Sequence, residues 1–413
     1  MRRTQEGYSP FKDDKPKDTE NSPFEASSVL VVKANNIKEH KKMTNYKLWA
    51  NEMWQKCQKK VTKTAERIGG DYPYTTENGK YKQARHISWW TNSFWCGMLW
   101  LMYKETKDER FKAWANEYEN QLNTLFESQE RLDHDVGFMW LHSSVNNYEI
   151  TGNETSKNYA LLAASTLAAR YNIRAGYIRA WNGRDGEDAE MRKGWAIIDC
   201  MMNIPLLYWA TKQTNDNRFK YIGIAFADKV LENFIRPDGS VCHIVEFNPE
   251  NGDFVKSYGG QGYCEGSSWS RGQAWAINGF AQSYNEIGDI RYLDAAKRVA
   301  NYFMNACSEN PVPRCDFRQP VDAVAYDSSA AAIAASGIID IALACEGAER
   351  EMYLASAVRL LKALDERCCP WDDPEDEAIV NFGMEHFNNG QKALIYGDYY
   401  FLEAILKLKN LNF

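Results

Sequence analysis

The chain has 413 residues, of which 44% are apolar, 13% are aromatic and 25% are charged, and its net charge is −7 at neutral pH. This acidic balance argues against a general nucleic-acid or membrane-surface binder, since both need a basic face. No run of 18 apolar residues occurs, so the sequence predicts no membrane-spanning helix.

The first 40 residues are polar and charged, and they lack the apolar core of a signal peptide. We predict that residues 1–40 form a flexible arm and that the protein is cytoplasmic. Ten cysteines without any CxxC spacing fit that compartment, because thiols stay reduced there.

Residues 41–413 are predicted to form a single all-α domain, because apolar residues recur at spacings of three and four. The predicted helices cover residues 45–66, 91–104, 109–128, 156–172, 190–212, 217–234, 272–287, 291–307, 328–345, 349–367 and 397–409. Eleven or twelve helices without strand alternation favour a closed toroid of six hairpins. Short strand or hairpin insertions, such as one at 239–253, are expected in the loops, which gather at one mouth where a ligand cleft should lie.

The segment SWWTNSFWCGMLW, residues 88–100, is rich in tryptophan. Trp90, Trp95 and Trp100 cannot share one face of a helix, because their spacings do not follow the helical period. We expect at least one of them to reach the mouth while the others pack in the core.

The segment RLDHDVGFMW, residues 131–140, carries two aspartates around one histidine. Asp133 is interpreted as a helix N-cap or a turn residue, and Asp135 as a side chain at a loop–helix junction near the mouth. His134 is interpreted as a hydrogen-bonded histidine. Because none of the six histidines lies in an HxH or HExxH arrangement, we predict no metal site.

In KGWAIIDCMMNIPLLYWA, residues 193–210, Asp199 lies in an apolar run on the predicted helix, and Lys193 is six positions away. Burial of an unpaired carboxyl raises its pKa, as a proton donor near neutral pH requires. The alternative is a structural aspartate. Asp340 in SGIIDIALA has similar neighbours, and we expect it to point at solvent.

The segment GGQGYCEGSSWSRGQAW, residues 259–275, combines hydrogen-bond donors with flat aromatic faces, supplied by Gln261, Arg271, Gln273, Trp269 and Trp275. Donors and aromatic rings suit a sugar, and an arginine suits a sugar carboxylate. The alternative is a turn that leads into an apolar helix.

Together these blocks resemble the unsaturated glucuronyl hydrolases of glycoside hydrolase family 88. The matching blocks occur in family order between about residues 45 and 410, and they read WTNSFW, HDVGFM, AIIDCMMNIPLLY, GQGYCEGSSWSRGQAW and GDYYFLEAI. The resemblance implies an (α/α)6 barrel without metal or cofactor. It implies removal of the 4,5-unsaturated uronic acid that polysaccharide lyases leave on oligosaccharides, by hydration of the C4=C5 vinyl ether.

The resemblance also implies roles for particular residues. Asp199 would act as general acid and then as base, while Asp135 would hold ring hydroxyls and tune Asp199 as a nearby like charge. The implied substrate-binding residues are His134, Trp90, Trp181, His243, Gln261, Arg271 and Trp275. The implied partner is an unsaturated uronide disaccharide, bound by a monomer or a homodimer.

Two positions depart from the family pattern. Gly260 stands where family members often have Arg or His. The block EHFNNGQKALIYGDYY has no serine where members that act on sulfated glycosaminoglycans carry S-x-x-S-x-K, although Lys392 could partly substitute. These departures weaken the expectation of a 6-sulfated aglycone.

Two alternatives stay open at this point. An unsaturated rhamnogalacturonyl hydrolase uses the same barrel and usually relies on one aspartate, which would match Asp199. A non-catalytic glycan-binding toroid would bind sugar without turning it over.

Overall fold

The computed structural model describes residues 23–84, 86–128, 131–183 and 186–411, apart from the side chains of 23–41 and of residue 187. Within these ranges the chain forms two concentric layers of helices. The inner layer consists of six segments, three of which are α2 (Asn92–Thr106), α10 (Ser270–Ile287) and α12 (Ser328–Leu343). The fourth is α14 (Ile395–Lys409). The fifth is a compound segment that consists of α4 (Val136–Trp140), a π-turn (Leu141–Val145) and α5 (Asn146–Thr151). The sixth consists of the 3₁₀ turn Ile198–Met202 followed by α8 (Pro205–Thr214).

The outer layer covers these segments one by one. Its helices are α1 (Pro23–Ile68), α3 (Glu109–Asn123), α6 (Glu154–Ala169), α9 (Asn217–Asn233), α11 (Ile290–Ala306) and α13 (Gly347–Arg367). Helix α14 contacts both α2 and α12, which closes the ring, and α1 packs on α14. The predicted all-α, (α/α)6 barrel is therefore confirmed.

Short strands and one small helix form the insertions between the barrel helices. They comprise β1 (Pro73–Glu77), β2 (Lys80–Gln83), β3 (Tyr171–Asn172), β4 (Tyr177–Ile178), α7 (Gly186–Arg192), β5 (Trp195–Ile197), β6 (Ile244–Phe247), β7 (Phe254–Tyr258), β8 (Gly383–Met384) and β9 (Gln391–Lys392). Strands β5, β6 and β7 form an antiparallel sheet, which confirms the hairpin predicted at 239–253.

The predicted continuous helix over 190–212 is wrong. The chain there forms a strand, Trp195–Ile197, then a 3₁₀ turn, and α8 begins only at Pro205. Pro205 occupies the first helical turn, because proline there loses no hydrogen bond and disfavours a helix before it. The preceding β-branched isoleucines suit the strand, which pairs with β6.

The arm predicted at residues 1–40 is described only in part. Helix α1 begins at Pro23, so residues 23–40 have helical backbone. Residues 24–68 contain neither glycine nor proline, so nothing in them interrupts a helix. The remainder of the predicted arm, residues 1–22, lies outside the described residues. No helix in the described part of the chain is long and apolar enough to cross a membrane.

The inner segments all start at the same end of the barrel, because each is separated from the next by an antiparallel outer helix. Side chains just before or within their first turns therefore meet at that end. Asp135 is the residue before α4, Asp199 lies in the 3₁₀ turn before α8, and Arg271 is in the first turn of α10. This convergence builds the candidate site.

Candidate active site

Asp199 is buried at this end of the barrel, with only 7% of its surface exposed. Its Oδ1 lies 3.5 Å from His243 Nε2, and no lysine or arginine in the described ranges lies within ion-pair distance. Asp340 provides the contrast: it does not point at solvent as expected, and its carboxylate lies 2.7 Å from Lys407 Nζ. Asp199 thus lacks the cationic partner that makes Asp340 a structural ion pair.

A hydrogen bond to the side of the His243 ring that faces away from Asp199 fixes the orientation of the ring. The backbone N–H of Gln261 donates to His243 Nδ1 at 3.0 Å, so the ring proton of neutral His243 resides on Nε2, which faces Asp199. The Gln261 side chain donates to Glu385 O at 2.7 Å. Gln261 therefore ties the glycine-rich loop to both His243 and the β8–β9 hairpin.

Gly260 allows this close approach. Its φ of +59° is in the left-handed region, and an added Cβ would lie 2.0 Å from His243 Nδ1. A side chain at this position would therefore collide with the ring that faces Asp199. With His243 in this position, the chain has room for glycine at residue 260 and no room for the Arg or His that family members often have there.

We expect Gly260→Ala to lower kcat/KM at least about tenfold, because displacement of a catalytic neighbour by about 1 Å can cost about a hundredfold. Gly266→Ala is the matched control, since Gly266 has a φ of +71° but no atom within 4 Å of an added Cβ. Steady-state kinetics and thermal unfolding of both variants would test this. Equal losses in the two variants would show that backbone strain, and not His243, is responsible.

Asp135 and His134 form a second buried pair. The Asp135 Oδ1 atom lies 3.6 Å from His134 Nε2 and accepts a hydrogen bond from Asn203 Nδ2 at 3.4 Å. Burial raises the pKa of Asp135 well above its usual value, and the nearby Asp133 and Asp199 carboxylates raise it further. Burial lowers the pKa of His134 to about 3, so this imidazole is neutral at working pH.

Asp133 has a local structural role. Its Oδ1 accepts a hydrogen bond from the backbone N–H of Asp135 at 2.9 Å, which makes it a turn residue as one of the two interpretations expected. It is not the N-cap, because Asp135 occupies that position, without a side-chain capping bond. The side chains of Asp133, His134 and Asp135 bring potential metal-ligand atoms within 4.8 Å of one another. One oxygen of Asp133 accepts the turn hydrogen bond, and one oxygen of Asp135 accepts the hydrogen bond from Asn203.

Arg271 is almost entirely buried and is bound by the protein itself. Its Nη1 donates to Asp327 Oδ2 and to Met384 O, each at 2.6 Å, and its Nη2 donates to Glu385 O at 2.6 Å. Only its Nε lacks a partner among the described residues. The guanidinium thus anchors the β8–β9 hairpin and the start of α12 beside the site.

The tryptophans have different surroundings. Trp90 is half-buried and stacks on Tyr396 with ring centroids 5.1 Å apart, whereas Trp95 and Trp100 are buried, as the sequence predicted. Trp181 lies edge-on to His134 at 6.0 Å. Trp275 is fully buried between Phe138 and Tyr400. Trp181 therefore lies beside the histidine that faces Asp135, while Trp90 packs on Tyr396 and Trp275 packs in the core.

Several polar groups at the site are buried without a partner. Within the described part of the chain these atoms are Asp199 Oδ1, His134 Nε2, His243 Nε2, Arg271 Nε, Trp275 Nε1 and the Tyr396 hydroxyl. Buried polar atoms are almost always paired, so such a group is typical of a place where a polar molecule binds.

Two residues of the site were missed by the sequence reasoning, Tyr396 and Asn203. Tyr396 directly precedes the GDYYFLEAI block, and its ring contacts both Trp90 and the Arg271 guanidinium. Asn203 lies four residues after Asp199, a spacing that places both on one side of a helical turn.

Comparisons with known proteins identify the family of the chain. The family model of Glycosyl Hydrolase Family 88 matches residues 60–367. An unsaturated glucuronyl hydrolase from Bacillus sp. (strain GL1) is 34% identical over 84% of this chain and 94% of its own length.

Two solved structures are similar in fold. The unsaturated glucuronyl hydrolase of Bacillus sp. GL1, described as responsible for the degradation of glycosaminoglycan, has a TM-score of 0.81 at 34% identity, over 86% of this chain and 97% of that one. A mutant of the Streptococcus agalactiae enzyme, complexed with dGlcA-GalNAc6S, has a TM-score of 0.75 at 28% identity, over 88% and 92%. The chain described here belongs to glycosyl hydrolase family 88.

Proposed function

We propose that this protein removes a 4,5-unsaturated uronic acid from the non-reducing end of glycosaminoglycan-type oligosaccharides left by polysaccharide lyases. The observation that carries the proposal is the pair of buried aspartates, Asp135 and Asp199, each with its Oδ1 facing an imidazole Nε2. Membership of family 88 and the activities named for its relatives support it.

The residues fit hydration of the C4=C5 vinyl ether. Asp199 gives its proton to C4, and water, which loses a proton to Asp199, adds to C5. The C5–ring oxygen bond of the resulting hemiketal then breaks to leave a ketone at C5. The ring oxygen remains on C1 as a hemiacetal hydroxyl, and the hemiacetal expels the aglycone. No displacement occurs at C1, so the separation of the carboxylates does not decide the stereochemistry.

The other predicted site residues have proposed binding roles. The His134 and His243 Nε2–H groups would donate to substrate oxygens, and Trp90 and Trp181 would cover the faces of the sugar ring. Gln261 and Arg271 would act mainly by holding the β8–β9 hairpin, since both side chains donate to its backbone carbonyls. Trp275 would contribute its unpaired indole N–H.

We expect a preference for unsulfated over 6-sulfated disaccharides, because Lys392 is already paired with Glu385 at 3.3 Å. The variant Glu385→Gln would release Lys392 and raise kcat/KM for the 6-sulfated substrate several-fold relative to the unsulfated one. Glu77→Gln, which removes the exposed partner of Lys82, is the control. An unchanged ratio in Glu385→Gln would contradict this role of the ion pair.

The function itself is tested by the loss of ultraviolet absorbance of the enoate when purified protein meets unsaturated disaccharides. Chondroitin, hyaluronan, heparin and rhamnogalacturonan substrates would be compared. Turnover of the glucuronyl substrates is expected. Turnover of the rhamnogalacturonyl substrate alone would indicate an unsaturated rhamnogalacturonyl hydrolase. Binding without turnover would indicate a non-catalytic glycan-binding protein.

The cytoplasm remains the proposed compartment, and a monomer or a homodimer the proposed state. The ten cysteines form no disulfide among the described residues, and most of them are buried, which fits a reducing compartment. Fractionation of the source cells would test the compartment, and light scattering would test the oligomeric state.

A further inference from the structure

The Asn203 side chain is completely buried and contacts both the Asp135 carboxylate and the Asp199 backbone. It follows the 3₁₀ turn that carries Asp199 and precedes α8. Its Cα also lies against α4, since a Cβ added to Gly137 would come within 2.3 Å of it. This close approach brings the Asn203 amide to the start of α4, where Asp135 is located.

The orientation of the amide is determined by one short hydrogen bond. Asn203 Oδ1 accepts from the backbone N–H of Phe138 at 2.6 Å, so the amide nitrogen must point the other way. There Nδ2 meets three acceptors: Asp199 O at 3.3 Å, Asp135 Oδ1 at 3.4 Å and His134 Nδ1 at 3.4 Å. One amide therefore contacts both aspartate-bearing segments, including His134, the residue before Asp135.

The contact with His134 favours one tautomer of its ring, because the amide nitrogen of Asn203 can only donate. With a donor at Nδ1, the proton of the neutral imidazole resides on Nε2, which faces Asp135 Oδ1 at 3.6 Å. The arrangement matches that of His243, whose Nδ1 accepts from the Gln261 backbone and whose Nε2 faces Asp199. The site thus contains two imidazole–aspartate pairs. In each pair a hydrogen-bond donor at Nδ1 orients the imidazole so that its Nε2 faces the aspartate.

We propose that Asn203 is a positioning residue, which holds His134 as the Nε2–H tautomer and fixes Asp135 relative to Asp199. The inference rests on the proposed function for its kinetic consequence, but the tautomer of His134 can be measured without any substrate. Its side chain lies behind His134 and Asp135, so Asn203 acts through these residues.

The test uses the full chain with Asn203→Ala and Asn203→Asp. We expect kcat to fall about a hundredfold in Asn203→Ala with a smaller change in KM, since misplaced catalytic groups lose rate more than affinity. In Asn203→Asp, the introduced carboxyl can donate only while protonated. The activity of that variant relative to the wild type should therefore rise as the pH falls.

The matched control is Asn278→Ala, because Asn278 is an equally buried asparagine of an inner helix whose Nδ2 donates to Ile333 O, outside the site. Thermal unfolding of all variants shows whether a loss of activity comes from a less stable fold or from misplaced His134 and Asp135 side chains. Nitrogen-15 spectra of the His134 ring should show the Nε2–H tautomer in the wild type and in Asn278→Ala, and a mixture in Asn203→Ala.

Two results would overturn the proposal. One is a kcat of Asn203→Ala within threefold of wild type, and the other is an unchanged His134 tautomer in that variant. If the wild type turned over no unsaturated uronide, the proposed function would fail, yet the ring spectra would still decide whether Asn203 sets the tautomer.

Discussion

Asp199→Asn is expected to abolish turnover, with kcat reduced by about 10⁴ or more. Loss of one general acid or base typically costs about 10²–10⁴ in rate, and here one carboxyl serves as both donor and acceptor. Asparagine has the same shape and can still face His243, so the fold should persist. The enoate absorbance assay with unsulfated chondroitin disaccharide measures the effect.

Asp340→Asn is the control for this variant, because Asp340 also lies in an apolar run but is paired with Lys407 near the opposite end of its helix. We expect it to lower the unfolding temperature, since it leaves the half-buried Lys407 without one of its two carboxylate partners, and to keep near-normal activity. Wild-type-like turnover of Asp199→Asn would rule out the proposed acid.

Asp135→Asn is expected to lower kcat by about 10²–10³. The change removes the carboxyl group that would hold the ring hydroxyls and tune Asp199, and whose pKa burial and the neighbouring carboxylates raise, while Asn203 can still donate to the remaining oxygen. Kinetics across pH would show both the loss and a shift of the profile. Full activity in this variant would instead indicate the single-aspartate chemistry of the rhamnogalacturonyl alternative.

Asp133→Asn is the matched control in the same turn. Its amide oxygen can still accept the hydrogen bond from the backbone of Asp135, so the turn should be preserved. We expect activity within about threefold of wild type. A loss equal to that of Asp135→Asn would mean that both aspartates take part in the chemistry.

The helical layers could be predicted from the sequence because apolar periodicity is a local property. Helices such as α9 (Asn217–Asn233) and α11 (Ile290–Ala306) match the predicted ranges to within one residue. The segment around Asp199 could not be predicted in this way. Its apolar run satisfies both a helix and a strand with a 3₁₀ turn, and pairing with β6 decided between them.

The sequence by itself determined the fold class, the family blocks and the two aspartates proposed for catalysis, because these depend on residue type and spacing along the chain. Only the tertiary structure decided which of the two aspartates in apolar runs lacks a lysine or arginine partner. Asp340 lies opposite Lys407 on another helix, whereas Asp199 lies opposite a histidine. The tertiary structure likewise decided that Arg271 binds backbone carbonyls and that Asn203 contacts both the Asp135 carboxylate and the Asp199 backbone. Charge pairing and hydrogen bonding depend on groups distant in the chain, and local spacing does not specify them.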